Sequence, residues 1–228
     1  MARRHAIIYE ENLRIPQEAL SFQGFQGWTE SEEFPETGRI DYLAGDVEVD
    51  MSPEDLHTHG IVKGAIYAAL HSLVAGRLGE IFVDKARVTS RFVELSVEPD
   101  VVVVFWESLK SGQVRYVPAA SHKPDRFSEM EGAPDVVVEV VSDSSEAKDL
   151  KRLPPLYAQA GIPELWLVDA RQSNVRFKIQ SLQGGRYVPM EPDAEGWIAS
   201  PRLGLSFRLI RSRTPIATWH YLLEHKKS

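Results

Sequence analysis

The sequence predicts an α/β (α+β) fold of buried strands set between helices, and three observations carry the prediction. The first is the run Pro134-Asp-Val-Val-Val-Glu-Val-Val-Ser142. Valine is β-branched and stiff, and apolar residues on both parities mark a strand covered on both faces. The second is a similar run, Glu98-Pro-Asp-Val-Val-Val-Val-Phe105, with Asp100 at its mouth. The third is the helical spacing of Ile61, Ala65, Ala68, Ala69 and Leu73, which places these residues on one face. Glu139 interrupts the first run. A carboxylate inside a covered strand has to be paired, protonated or bound to a cation, because an unpaired buried charge is very costly.

Composition narrows the class. A chain of 228 residues suffices for one sizeable domain, or a domain with extensions. No apolar run approaches the roughly 18 residues of a membrane span, so none is expected. The first residues lack a signal-peptide core, and no cysteine is present for disulfides or thiolate metal sites. Both features fit a cytoplasmic protein. The formal net charge of −7 argues mildly against non-specific nucleic-acid binding. It leaves a nuclease open, since acidic metal ligands add to the negative total.

In chain order, residues 1–35 read as a polar extension with one short helix. Arg39-Ile-Asp-Tyr-Leu and Val47-Glu-Val-Asp-Met alternate in polarity around Gly45, which predicts a hairpin. Ser52-Pro53-Glu54-Asp55 has the chemistry of a helix start, with Ser52 as N-cap and the helix running to about Arg77. Residues 81–84, 91–95 and 101–105 read as strands, and 107–133 as an irregular surface excursion. Asp143 with Glu146 resembles a capping box. The helix it opens should break near Leu153, ahead of Pro154-Pro155, restart through Tyr157 and stop at Gly161. Glu164–Asp169 reads as a strand, and residues 174–210 as strand pairs around Gly184-Gly185. Residues 214–226 read as a short basic-ended helix.

Asp100 and Glu139, one acid on each of two rigid strands, are a candidate pair of hard oxygen ligands for a divalent ion. The competing explanation is an Asp at a strand start and a Glu paired with a buried Arg. Asp135 lies four residues before Glu139, some 13 Å away at about 3.3 Å per residue, so it is assigned to structure. His57 and His59 are two apart and point to different faces of a helix, so one ion cannot readily take both.

The three stretches around Asp100, Glu139 and Tyr157–Asp169, together with the Gly45 hairpin, Met51-Ser-Pro53 and His59-Gly-Ile-Val, carry a resemblance over roughly residues 35–210. Here the chain resembles the Uma family of proposed restriction endonucleases, part of the PD-(D/E)XK nuclease superfamily. The resemblance implies a central mixed sheet flanked by helices, with Mg²⁺ or Mn²⁺ held by Asp100 and Glu139. It places His59 near the metal end, and Tyr157 and Trp166 in the core. The superfamily lysine is absent at Val141, and the position where Uma-type sequences commonly carry it instead is Leu153. A catalytic cation is therefore expected from Lys148 or Lys151.

Together these imply a nuclease-like domain over 36–210 between the extension and a tail over 211–228. The expected activity is metal-dependent hydrolysis of DNA phosphodiester bonds by a homodimer. The alternative is a nuclease fold that has lost catalysis and serves as a nucleic-acid-binding or protein-interaction module.

Overall fold

The computed structural model describes residues 13–119 and 123–227. The first half of the chain forms α1 (Phe22–Thr29), β1 (Arg39–Leu43), β2 (Asp46–Asp50), α2 (Ile61–Val74), β3 (Gly79–Val83), β4 (Arg87–Ser90), β5 (Leu95–Val97) and β6 (Val101–Phe105). Then come α3 (Trp106–Ser111), β7 (Val114–Pro118), β8 (Phe127–Gly132), β9 (Val136–Val140), α4 (Leu153–Gln159) and β10 (Glu164–Asp169). The last part adds β11 (Arg176–Gln183), β12 (Arg186–Pro189), β13 (Ile198–Ser200), β14 (Leu205–Arg213) and β15 (Trp219–Lys227).

The central sheet runs β12-β11-β10-β9-β6-β3 and is mixed: β9 and β10 are parallel, and the other neighbours antiparallel. Every residue of β9 and β10 is buried, as the valine run demands. One face packs through Val101, Val103, Val136 and Val138 against α2 and the small sheet β13-β14-β15. The opposite face packs through Val137, Leu165 and Leu167 against Leu153 and Tyr157 of α4, and against Leu43, Leu95 and Val97. Those last three belong to a second six-stranded sheet, β2-β1-β5-β4-β8-β7. Helix α1 closes that sheet's outer side, where Phe22, Phe25 and Trp28 cluster with Ile40 and Tyr42. Ile40 and Tyr42 thus face outward, so by the period of two Arg39, Asp41 and Leu43 face the central sheet. Among the described residues no helix is long and apolar enough to cross a membrane.

The central mixed sheet, the hairpin at Gly45 and the strand pair around Gly184-Gly185 follow the sequence expectations. Several elements depart from them. The segment 107–133 is not a surface excursion. It contains α3, β7 and β8, with Val114 and Met130 buried against Val102 and Val104. Its loop-forming residues only punctuate: Pro118 ends β7, and Gly132, at φ +119°, ends β8 where a Cβ would collide with the Gln113 carbonyl. The expected strand 91–95 is a 3-10 turn at Arg91–Val93 followed by β5, with Phe92 on the surface.

The expected helix over 214–226 is instead β15, paired with β14 over nine residues. Tyr221 and Leu223 are buried between exposed His220, Leu222 and half-exposed Glu224, a period of two that outweighs the helix-compatible composition. The helix expected to start at Ser52 is capped by Asp55, whose carboxylate accepts from the His57 and Thr58 amides. A π-helical turn, Leu56–Gly60, leads into α2, which ends at Val74. Asp143 caps nothing and pairs with Arg171. Ser142 and Ser145 cap one another, each hydroxyl accepting from the other's amide. The break expected near Leu153 is absent: a second π-helical turn, Lys148–Arg152, runs directly into α4, whose first turn accommodates Pro154 and Pro155.

Candidate functional site

Antiparallel pairing of β6 with β9 sets Val101 opposite Val138. One step further along the same register, Asp100 stands across from Glu139, and residues directly opposite on antiparallel strands share a face. That face is the one covered by α4 and β1. Asp100 is fully buried. Its Oδ2 accepts from the Val140 amide at 2.7 Å and lies 3.3 Å from His59 Nε2, and its Oδ1 accepts from Arg39 Nη2 at 2.9 Å. Glu139 is equally buried, and Tyr157 donates its hydroxyl to Oε1 at 2.5 Å. The Glu is therefore held by a phenol, not by an arginine.

Two further acids join them. Asp41, on the inward face of β1, accepts from Lys148 Nζ at 2.7 Å and from the Glu98 amide at 3.1 Å. Asp149 accepts from the Ser145 hydroxyl through Oδ2, while its buried Oδ1 has no protein partner. All four residues are at most 1% exposed. Were all four ionised, Arg39, Lys148 and a protonated His59 would set three positive charges against four negative ones, and burial moves two of the acids away from that state. Burial pushes Glu139 well up, and the charges of Asp149 and Asp100 push it further. Burial likewise pushes Asp149 up to about 6. Asp100 is held low despite its burial, by the His59 hydrogen bond and the Arg39 charge. His59 is raised: burial opposes its charge, and Asp100, then Glu54, outweigh it. Lys148 stays charged against burial chiefly through Asp41.

Above these buried groups lies a cleft with two lobes of about 510 and 310 Å³, which share Arg39, Asp50, Ser52 and Ser144. The hydrogen bond from Ser144 to Asp50, 2.8 Å, crosses between them. Lys148 and Arg152 line the larger lobe, and His59 and Lys63 the smaller. Lys63 Nζ bridges Glu54 and Asp84 at 2.6 and 2.7 Å. Asp84 and Lys85 both adopt positive φ at this rim, a conformation rare for side-chain-bearing residues.

The donors fit a hard divalent ion in kind. Among the described residues no three Asp, Glu or His side chains converge into a ready ion cage. Mg²⁺ does not require one, since it keeps several waters and takes one or two protein carboxylates. Glu139, raised by burial and then by the charges of Asp149 and Asp100, and the unpartnered Asp149 oxygen would both be eased by an added cation.

Of the residues singled out in the sequence, Asp100, Glu139, His59 and Lys148 come together here. Lys151 is exposed on the outer side of its turn, and Leu153 is buried in the apolar cluster under α4. His57 is not on Asp100. Asp135 is structural: it accepts from the Phe105 amide and from Ser108, and pairs with Arg202. Asp169 caps a turn through the Arg171 amide. Arg39, Asp41, Asp149 and the Tyr157 hydroxyl were not anticipated. The hairpin alternation did put Arg39 and Asp41 on one face, but nothing local says that this face is covered.

The model of the Uma2 family, described as "Putative restriction endonuclease", matches residues 23–212. A comparison with curated protein sequences finds no match. Among solved structures, the chain is similar to a protein from Anabaena variabilis described as a "putative nuclease belonging to DUF820". The TM-score is 0.56 at 19% identity, over 80% of this chain and 89% of that one, a likeness of fold. With a match that spans the hairpin, both acid-bearing strands and α4, the chain belongs to the Uma2 family.

Proposed function

We propose that this protein is a metal-dependent endonuclease that hydrolyses DNA phosphodiester bonds, with Mg²⁺ or Mn²⁺ held by Asp100 and Glu139. The observation that carries the proposal is the pair of buried carboxyl groups facing each other across β6 and β9, beneath an open cleft. A bound divalent ion would supply the Lewis acidity that activates water and offsets charge on the phosphate. The chain's own residues do the rest. Tyr157 fixes the Glu139 carboxylate, and the Val140 amide with His59 fixes Asp100, so both acids are pre-oriented. Lys148, steered by Asp41, offers an ammonium at the wall of the larger lobe, where it stabilises charge developing on a phosphate. A homodimer, acting in the cytoplasm, would bring two such sites to the two strands of a duplex.

One observation favours a second function, a nuclease fold that binds without cutting: the family lysine position is Leu153, fully enclosed by apolar neighbours. Incubation of supercoiled plasmid with Mn²⁺ separates the two. Cleavage that disappears with EDTA and falls at least about 10²-fold in Glu139→Gln and Asp100→Asn supports the nuclease, by analogy with loss of one charge-stabilising group. An inert wild type that still retards duplex DNA supports the binding module.

A further inference from the structure

Arg39 occupies a singular position. Its side chain is about one-fifth exposed, it lines both lobes of the cleft, and it reaches down to Asp100. A guanidinium carries five N–H donors. Among the described residues only Asp100 accepts from Arg39, through Nη2, so the rest of the fork has no protein acceptor. A structural arginine in this molecule looks different. Arg87 bonds to Ser96, Ile40 and Glu98 and stacks near Phe25 and Phe34.

We propose that Arg39 is a positioning residue with two stations: it neutralises Asp100 in the metal-free protein, and it moves to an oxygen pair of the substrate phosphate when a divalent ion reaches Asp100 and Glu139. This rests on the nuclease function proposed above. The argument is one of charge and place. Asp100 is enclosed, and its other donors, the Val140 amide and His59, are held by β9 and by Glu54. Of the two side chains on Asp100, His59 borders the smaller lobe alone and is nearly buried, whereas Arg39 is about one-fifth exposed and borders both lobes. A guanidinium and a divalent ion on one carboxylate repel each other strongly at low effective dielectric. With a divalent ion bound there, Asp100 would no longer need Arg39 for neutralisation, and the guanidinium would be free to turn into the cleft. Planar, bidentate and always charged, the released fork matches phosphate. Both lobes of the cleft lie within the space it already borders.

The test is calorimetric titration of Mn²⁺ into wild type, Arg39→Gln and Arg39→Lys. It is paired with binding of a 20-base-pair duplex in Ca²⁺ at several salt concentrations. With the competing cation gone, Arg39→Gln is expected to bind Mn²⁺ about tenfold more tightly. It should bind duplex about tenfold more weakly, with a salt slope shallower by about one phosphate contact. Arg39→Lys keeps the charge and loses the fork, so its Mn²⁺ affinity stays within about twofold of wild type while duplex affinity falls. Should Arg39→Gln fail to fold, Arg39→Lys alone decides: duplex affinity equal to wild type overturns the proposal. Equal or weaker Mn²⁺ binding by a folded Arg39→Gln also overturns it, leaving Arg39 a fixed partner and the nuclease function intact. A wild type that takes up no Mn²⁺ overturns both.

Discussion

Lys148 and Asp149 are adjacent in sequence and both buried against the acids, yet they pull the site in opposite directions. Lys148 supplies the nearest ammonium, and Asp149 adds to the repulsion felt by Glu139. The carboxyl of Asp149, raised to about 6 from an ordinary 3.8, keeps its proton in the folded chain after the unfolded chain has lost it. Raising the pH from about 4 to 6 therefore weakens the fold, and beyond 6 the loss is complete. Asparagine has no proton to lose. Urea unfolding in EDTA should show Asp149→Asn gaining stability over wild type through this window, approaching about 3 kcal/mol, with a flat difference above it. A difference that does not change with pH would show that Asp149 titrates normally.

The cation question is decided at the same scale. Lys148→Ala should slow Mn²⁺-dependent cleavage by about 10², the effect of removing one charge-stabilising donor, while Lys151→Ala leaves it within about twofold. Leu153→Lys should chiefly destabilise, because it buries an ammonium among Tyr157, Leu165 and Ile162. If Leu153→Lys instead switches on cleavage in an otherwise inert protein, Lys148 is not a substitute. His59 was legible through the family resemblance, and Lys148 through its nearness to Glu139 in the chain. Arg39 and Asp41 were not, because their part in the site depends on β1 lying over the central sheet, a long-range fact that leaves no local pattern.

Among the elements, the covered strands were the easiest to foresee. A run such as Val136–Val140 has few alternatives once helix length and turn signals are excluded. The C-terminal segment was the hardest. Trp219–Lys227 mixes bulky and basic residues that suit a helix end, and its strand character comes from β14 beside it and α2 beneath it. Leu223, buried against that helix face, offers a direct check. Leu223→Ala should cost about 2–4 kcal/mol in chemical denaturation, whereas its exposed neighbour Leu222→Ala should cost well under 1. Equal costs for the two would contradict the alternation. The segment 107–133 failed for a related reason: Pro118 and Gly132 mark strand ends, and they were weighted as loop content.

Taken whole, the molecule places one candidate site in a cleft between two sheets. A single site cuts one strand at a time. The proposed homodimer predicts a mass near twice 25.7 kDa by light scattering at micromolar concentration. It also predicts linear product from supercoiled plasmid without a long-lived nicked form. A monomer that accumulates nicked circles would argue for independent single-strand events. The net charge of −7 sharpens the point: association with duplex has to come from local cations at the cleft, and should weaken steeply as salt rises.

The two π-helical turns, Leu56–Gly60 and Lys148–Arg152, carry His59 and Lys148. Each turn accommodates an extra residue that an ordinary helix has no room for, at some loss of hydrogen-bond quality. In terms of inheritance, such a turn behaves as a phase setting: one codon gained or lost changes which way the side chains upstream point. Deleting Leu150, which is partly exposed, would let the turn relax into continuous helix with α4, whose core residues Leu153 and Tyr157 keep it anchored. Lys148 and Asp149 would then swing by about 100° around the helix axis. The deletion variant should still fold but melt below wild type, because Asp41 stays buried without its lysine, and it should lose the cleavage that depends on the Lys148–Asp41 pair. Within this fold, then, indels at these two places would tune or silence the site while leaving the scaffold standing.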